Sequence, residues 1–126
     1  PAEITSEAFL SELKKEPEEV QVEKTSSALR AYIDIHIAED TIFYQSLQEQ
    51  LERILQEFKQ RNIEAHKVVE QLLTLREEIL KRKKETEKLG ISERQVPFFN
   101  FLRSQGLNHE EAKKLVEEIE QAIRKV

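Results

Sequence analysis

The chain has 126 residues, a formal net charge of −5, no cysteine and only two glycines. The lack of cysteine excludes disulfides, thiolate metal sites and cysteine nucleophiles, and two glycines are too few for the glycine-rich loops that cradle nucleotides. Charged residues make up 36% of the chain, against a usual ~25%, and no apolar run approaches the ~18 residues of a membrane span.

The chain begins with Pro1 and holds no methionine, which predicts a domain cut from a longer polypeptide. A chain of this length can bury roughly 65–70% of its unfolded surface, so it can hold a core without staples. Charge is unevenly spread. Residues 1–40 carry ten acids and four bases, and residues 41–88 carry nine acids and ten bases. The acidic first third is a poor surface for a phosphate backbone. One basic run stands out: Lys81, Arg82, Lys83 and Lys84. It is the candidate contact for DNA backbone or a partner. Its neighbours Glu77, Glu78, Glu85 and Glu87 largely cancel it, so the plainer reading is a solvated helix end.

Residues 6–15 read as a short helix with Ser6 as cap and Phe9, Leu10 and Leu13 on one side. Pro17 ends it and suits the first turn of the next. Residues 18–39 are ambiguous, with the expected helix over about 19–39. Val22, Leu29, Ile33 and Ile37 fit a helical face, while Ile33, Ile35 and Ile37 alternate as in a strand. No second strand pattern exists to pair with it, so a helix is expected.

Residues 41–60 follow steps of three and four through Phe43, Leu47, Leu51, Ile54, Leu55 and Phe58. Asp40 or Thr41 is the N-cap. Arg61-Asn62 supplies the break, since asparagine tolerates the left-handed conformation. Residues 64–89 form the longest helix, with Val68, Val69, Leu72, Leu75 (or Arg76 by its stem), Ile79 and Leu80 as its stripe. From Lys81 to Lys88 the pattern is polar and has nothing to bury, so this part should project or fray.

Gly90 is placed to end that helix, and Ser92 with Gln95 forms a capping pattern for a helix over 93–104. Pro97 near its start predicts irregularity there. Phe98, Phe99, Phe101 and Leu102 make it the most apolar stretch. After Gly106, Asn108 and Glu111 repeat the capping pattern. The last helix, 109–125, aligns Ala112, Leu115, Val116, Ile119, Ala122, Ile123 and Val126. The expectation is an all-α compact bundle of five to six helices, mostly antiparallel neighbours. It reads as one domain over 1–126, with acidic entry helices in 1–40 and a bundle body in 41–126.

Chemistry is sparse. His36, His66 and His109 lie on different predicted helices. Di-iron bundles place a Glu three residues before an inward His, but Ile33, Ile63 and Gly106 stand there instead. His36 with Glu39 or Asp40 comes nearest to a ligand pair. No nucleophile elbow or phosphate loop occurs. The expectation is no catalytic, cofactor-binding or metal residue. Tyr32 and Tyr44 flank the junction at Asp40, where a structural role is the plainer reading.

The stretch Arg30, Ile33, His36, Glu39-Asp40, Phe43-Tyr44, Leu47, Leu51-Glu52 and Ile54-Leu55, followed by Leu89-Gly90-Ile91-Ser92-Glu93 and Val96-Pro97-Phe98-Phe99, resembles a known family. It is similar to the C-terminal helical region of the R subunit of type I restriction–modification enzymes, over about residues 28–126. Thr41 stands where that family usually has Pro, and Phe99 where it usually has Tyr; neither change bears on chemistry.

The resemblance implies a parent enzyme that uses ATP and magnesium to translocate and cut DNA, a type I site-specific deoxyribonuclease. No residue here matches its catalytic motifs. The helical region would then be a non-catalytic docking domain. Its partners would be the modification and specificity subunits of the methyltransferase core, in the cytoplasm, with DNA met through the parent enzyme. Two other readings stay open: an unrelated helical scaffold or self-association domain, and a module that contacts the DNA backbone.

Overall fold

The computed structural model describes residues 3–124. Six α-helices follow one another: α1 (Glu7–Leu13), α2 (Glu18–His36), α3 (Thr41–Lys59), α4 (Ala65–Leu89), α5 (Val96–Ser104) and α6 (His109–Arg124). A 3-10 turn, Glu93–Gln95, leads into α5. No strand occurs among the described residues, so the all-α expectation holds. Val126, expected on the last apolar face, lies outside those residues. The chain divides into two compact units, residues 1–83 and 84–126, with the division falling inside α4.

The first unit is built on the stripes of α2, α3 and α4. Val22, Leu29 and Ile33 of α2 meet Tyr44, Leu47 and Leu51 of α3 and Val68, Val69, Leu72, Leu75 and Ile79 of α4. Fully burying each large aliphatic side chain contributes roughly 1.5–3 kcal/mol. The ambiguous stretch is helical: Ile33 is 1% exposed and Ile35 72% exposed. These two positions lie about 200° apart on a helix, so one faces the core and the other faces water. The helix stops at His36, short of the expected 39, because the chain turns through residues 37–39 to place Asp40 as the next cap. Arg30 and Glu52 tie α2 to α3 at 3.1 Å.

The N-terminal segment joins this core through Ile4, Phe9 and Leu13. Ser6 caps α1, its side chain accepting from the Ala8 amide at 3.2 Å. Arg76 of α4 holds the same segment in place. Its guanidinium is buried and donates to the carbonyls of Ile4 at 2.6 Å and Ser6 at 3.1 Å. The Ile4 carbonyl lies before α1, outside the helical ladder, while the Ser6 carbonyl also accepts from the Phe9 amide at 3.1 Å. A buried carbonyl without a donor is costly, and the charged donor makes each bond stronger than a neutral one. The sequence pattern left the choice between Leu75 and Arg76 open; both are buried.

In the second unit α5 and α6 form a helical hairpin. Ile91, Val96, Phe99, Leu102, Ala112 and Val116 make its core, with Leu89, Leu107 and Leu115 at the margin. Asn108 and Glu111 cap α6 reciprocally: the Glu111 amide donates to Asn108 Oδ1 at 2.9 Å, and the Asn108 amide donates to Glu111 Oε1 at 3.0 Å. The predicted irregularity at Pro97 takes the form of the 3-10 turn, with Pro97 in the first turn of α5. The apolar stripe of α6 is only partly covered: Ala112 and Val116 are buried, but Ile123 is 68% exposed.

Three helix ends share one closing geometry. After α4, the Gly90 amide reaches the Glu87 carbonyl at 3.1 Å and the Ile91 amide reaches that of Thr86 at 3.4 Å. This is the Schellman pattern, and Gly90 has φ +73° to complete it. Gly106 closes α5 in the same way. At the end of α3 the left-handed residue is Arg61, with φ +62°, not the expected Asn62. The Asn62 amide takes the second bond, to the Glu57 carbonyl at 3.0 Å, so asparagine sits one place too late to carry the turn.

Two predictions follow from these contacts. Arg61→Gly removes the left-handed penalty of ~1–2 kcal/mol and gives up an exposed 3.8 Å pair with Glu19 and a cation–π contact with Phe58. A net gain of about 0.5 kcal/mol is expected by chemical denaturation. Arg76→Met keeps the stem but strips the Ile4 carbonyl of its donor and the Ser6 carbonyl of its second one, which should cost about 1–3 kcal/mol. Hydrogen exchange should show amides of 8–13 losing protection ahead of those in α2 and α3.

Candidate functional site

The corner between α2 and α3 gathers the densest set of polar and aromatic groups in the first unit. Asp40 has φ −152° and ψ 85° and caps α3, its Oδ1 accepting from the Phe43 amide at 3.3 Å. Its Oδ2 accepts from Arg82 Nη2 of α4. The two side chains are 8% and 17% exposed, so the pair is largely withdrawn from water. The Arg82 guanidinium also lies over the Phe43 ring, 4.8 Å from its centroid. The planar cation thus has a carboxylate at its edge and an aromatic face against its plane, an arrangement suited to arginine rather than lysine.

Beside this pair runs an aromatic stack. His36 lies 4.1 Å from the Tyr32 ring and 6.0 Å from that of Tyr44, both at 30°. Tyr44 is fully buried and meets Phe43 edge-on at 4.9 Å. His36 Nδ1 sits 2.9 Å from Glu39 Oε2. Offset and edge-on ring pairs of this kind contribute about 0.5–1.5 kcal/mol each beyond their area. The tyrosines therefore pack the corner, as the plainer sequence reading had it. Asp40 has both oxygens engaged, one in a cap and one in an ion pair.

Successive helix positions step by about 100°, so Lys81, Arg82, Lys83 and Lys84 cannot share one face. Lys81, Lys83 and Lys84 are exposed. Arg82 is directed to Asp40. The α4 helix does not fray there. It continues to Leu89, and Thr86 is buried at 8% exposure. The expectation that this stretch has nothing to bury is therefore corrected. The signal was present: Arg82 stands three positions after Ile79 and seven after Leu75, in register with the buried stripe.

A shallow, open depression of about 320 Å³ lies at the α3–α4 turn, bordered by Glu19, Phe58, Arg61, Asn62 and Ile63. His66, 3.4 Å from Glu64, is exposed. His109 rests edge-on against Phe99 at 5.2 Å.

Compared with models of protein families, residues 2–126 match the family described as type I restriction enzyme HindI endonuclease subunit-like, C-terminal. The chain belongs to this family. It is also similar to a Methanocaldococcus jannaschii protein classed as the endonuclease subunit of the type I restriction enzyme MjaIXP, at 27% identity over 124 residues. That alignment takes in 98% of this chain and 12% of the relative, so the chain spans about one eighth of that protein's length. No solved structure matches it.

Within this type I endonuclease-subunit family, the corner gives a physical meaning to the residues on which the resemblance rested. Arg30 and Glu52 form the strut between helices, Asp40 forms the cap, and His36, Phe43 and Tyr44 form the ring stack. No helix among the described residues is long and apolar enough to cross a membrane.

Asp40→Ala should remove the cap and leave a largely buried guanidinium without its carboxylate, costing about 3–4 kcal/mol. Asp40→Asn keeps a capping oxygen and should recover about 1 kcal/mol of that loss. Urea denaturation of the two variants, with Asp40→Ala/Arg82→Ala to close the cycle, measures both terms.

Proposed function

We propose that this region is a non-catalytic assembly domain of a type I restriction endonuclease subunit, working in the cytoplasm. It would attach that subunit to the modification and specificity subunits of the methyltransferase core. The observation that carries this reading is the family match across residues 2–126, to a region named as C-terminal in an endonuclease subunit. The small share of the relative that the chain spans supports it too, since most of such a protein lies elsewhere. On this reading ATP and magnesium, DNA translocation and strand cleavage belong to the remaining polypeptide.

The engagement of the corner residues with one another supports a scaffolding role over a reactive one. The placing of Lys83 on the other side of the helix from Lys81 and Lys84, with Arg82 held by Asp40, ranks direct DNA binding below protein docking. A basic stripe able to neutralise several phosphates would need those charges on one side.

A subunit lacking this region should retain ATP hydrolysis but fail to co-purify with the modification and specificity subunits. Undiminished assembly after its removal would refute the reading. Tight duplex binding by the region, falling steeply with salt and abolished by Lys81→Glu/Lys83→Glu/Lys84→Glu, would favour the DNA-contacting alternative.

A further inference from the structure

The segment ahead of α2 is fastened at both ends. The first residues of a domain are usually poorly ordered unless something ties them down. Here Glu3 to Ser6 form a turn, closed by the Ser6 amide on the Glu3 carbonyl at 3.0 Å. Ile4 within it is 2% exposed. Arg76 donates to the Ile4 carbonyl through Nε and to the Ser6 carbonyl through Nη2, and its Nη1 lies 3.4 Å from Glu77. At the far end the Glu16 carbonyl accepts from Gln21 Nε2 at 2.8 Å, and the Glu16 carboxylate pairs with Lys24 at 2.8 Å. Phe9 and Leu13 enter the core between these two ties.

The choice of arginine at position 76 is informative. Burying a charge carries a desolvation cost that an apolar side chain in the same stripe would avoid. What the guanidinium adds is direction. Its donors lie in one rigid plane, so two bonds from it set both the place and the angle of the backbone they hold. That backbone is the turn at residues 3–6. Phe9 and Leu13 attach α1 to the core without fixing the path of the chain before Ser6.

We infer that Arg76 and residues 3–6 form an entry clamp, which fixes the direction in which the rest of the endonuclease subunit joins this region. The inference rests on the assembly reading, in which a longer polypeptide leads into a C-terminal region. The matched family is named for such a region, and the alignment takes in 12% of the Methanocaldococcus jannaschii relative. A loose joint would let the region swing, and docking would then have to select one orientation at an entropic cost. A clamped joint removes that cost in advance. Arg76 is thus a positioning residue: it acts on the path of the chain and touches no partner.

The test uses the intact endonuclease subunit, with one spin label at the exposed position of Glu49→Cys in α3 and a second on the polypeptide that leads into this region. A narrow distance distribution is expected. Ile4→Ser/Arg76→Met frees the turn, and four flexible residues spread by roughly 11 Å, so the distribution should broaden by about that much. Inserting Gly-Ser-Gly-Ser ahead of Glu3 leaves the clamp intact and touches no core residue, yet should broaden it equally. The insertion therefore separates lost direction from lost stability. A control pair inside the first unit, Glu49→Cys with Glu70→Cys, should stay narrow in all three forms. Should the double variant loosen that control, the insertion alone decides. A wild-type distribution as broad as that of the insertion overturns the inference, and so does an unchanged distribution in the double variant. Narrow wild-type distances, with association undiminished when the region is removed, would uphold the clamp and sink the assembly role.

Discussion

Asp40 answers two demands with one carboxylate. The chain reverses between α2 and α3, and the first amides of α3 need an acceptor that the helix cannot supply itself. Any of several small polar residues could meet that need. What sets Asp40 apart is its second oxygen, which accepts from Arg82 of α4. One side chain therefore fixes where α3 begins and where α4 lies against it. The ring of Phe43, the residue whose amide Asp40 accepts, covers the guanidinium plane. Burying two charges carries a desolvation cost that their attraction repays only with good geometry and further bonds. Here the cap and the ring supply those further contacts. The pair contributes more to the angle and register of the helices than to net stability.

The helical stripes were legible because a single period carries them. Phe43, Leu47, Leu51 and Ile54 name their own face, and so do Val68, Leu72, Leu75 and Ile79. The caps at Ser6, Asp40 and Asn108 were equally local, since each acceptor serves an amide two or three residues on. Gly90 and Gly106 announced helix ends through the one backbone property that only glycine has cheaply. Periodicity even settled the ambiguous isoleucines, because a lone strand has nowhere to send its backbone bonds.

What stayed hidden depends on contacts between distant residues. Arg76 reaches carbonyls 72 and 70 residues away, and Arg82 reaches a carboxylate 42 residues away. In a hydropathy reading both count as solvent-facing charge. Their positions in the stripe of α4 showed otherwise, but a long cation can lie in such a stripe by its stem alone. Only the partner distinguishes the two cases. Arg61 was missed for another reason. Asparagine's preference for the left-handed region is a tendency, and hydrogen-bond register at the helix end decided which residue took it.

The same limit shaped the reading of function. A pattern of apolar residues shows which face is buried, not what buries it. The stripe on α6 was continuous from Ala112 to Ile123, yet the hairpin covers only its first half. On α5 the inner ring of Phe99 and the outer rings of Phe98 and Phe101 are one residue type with opposite environments. Composition calls them all core. The hairpin can bury only the side of a short helix that faces its neighbour, so an aromatic residue on the other side gains less from folding.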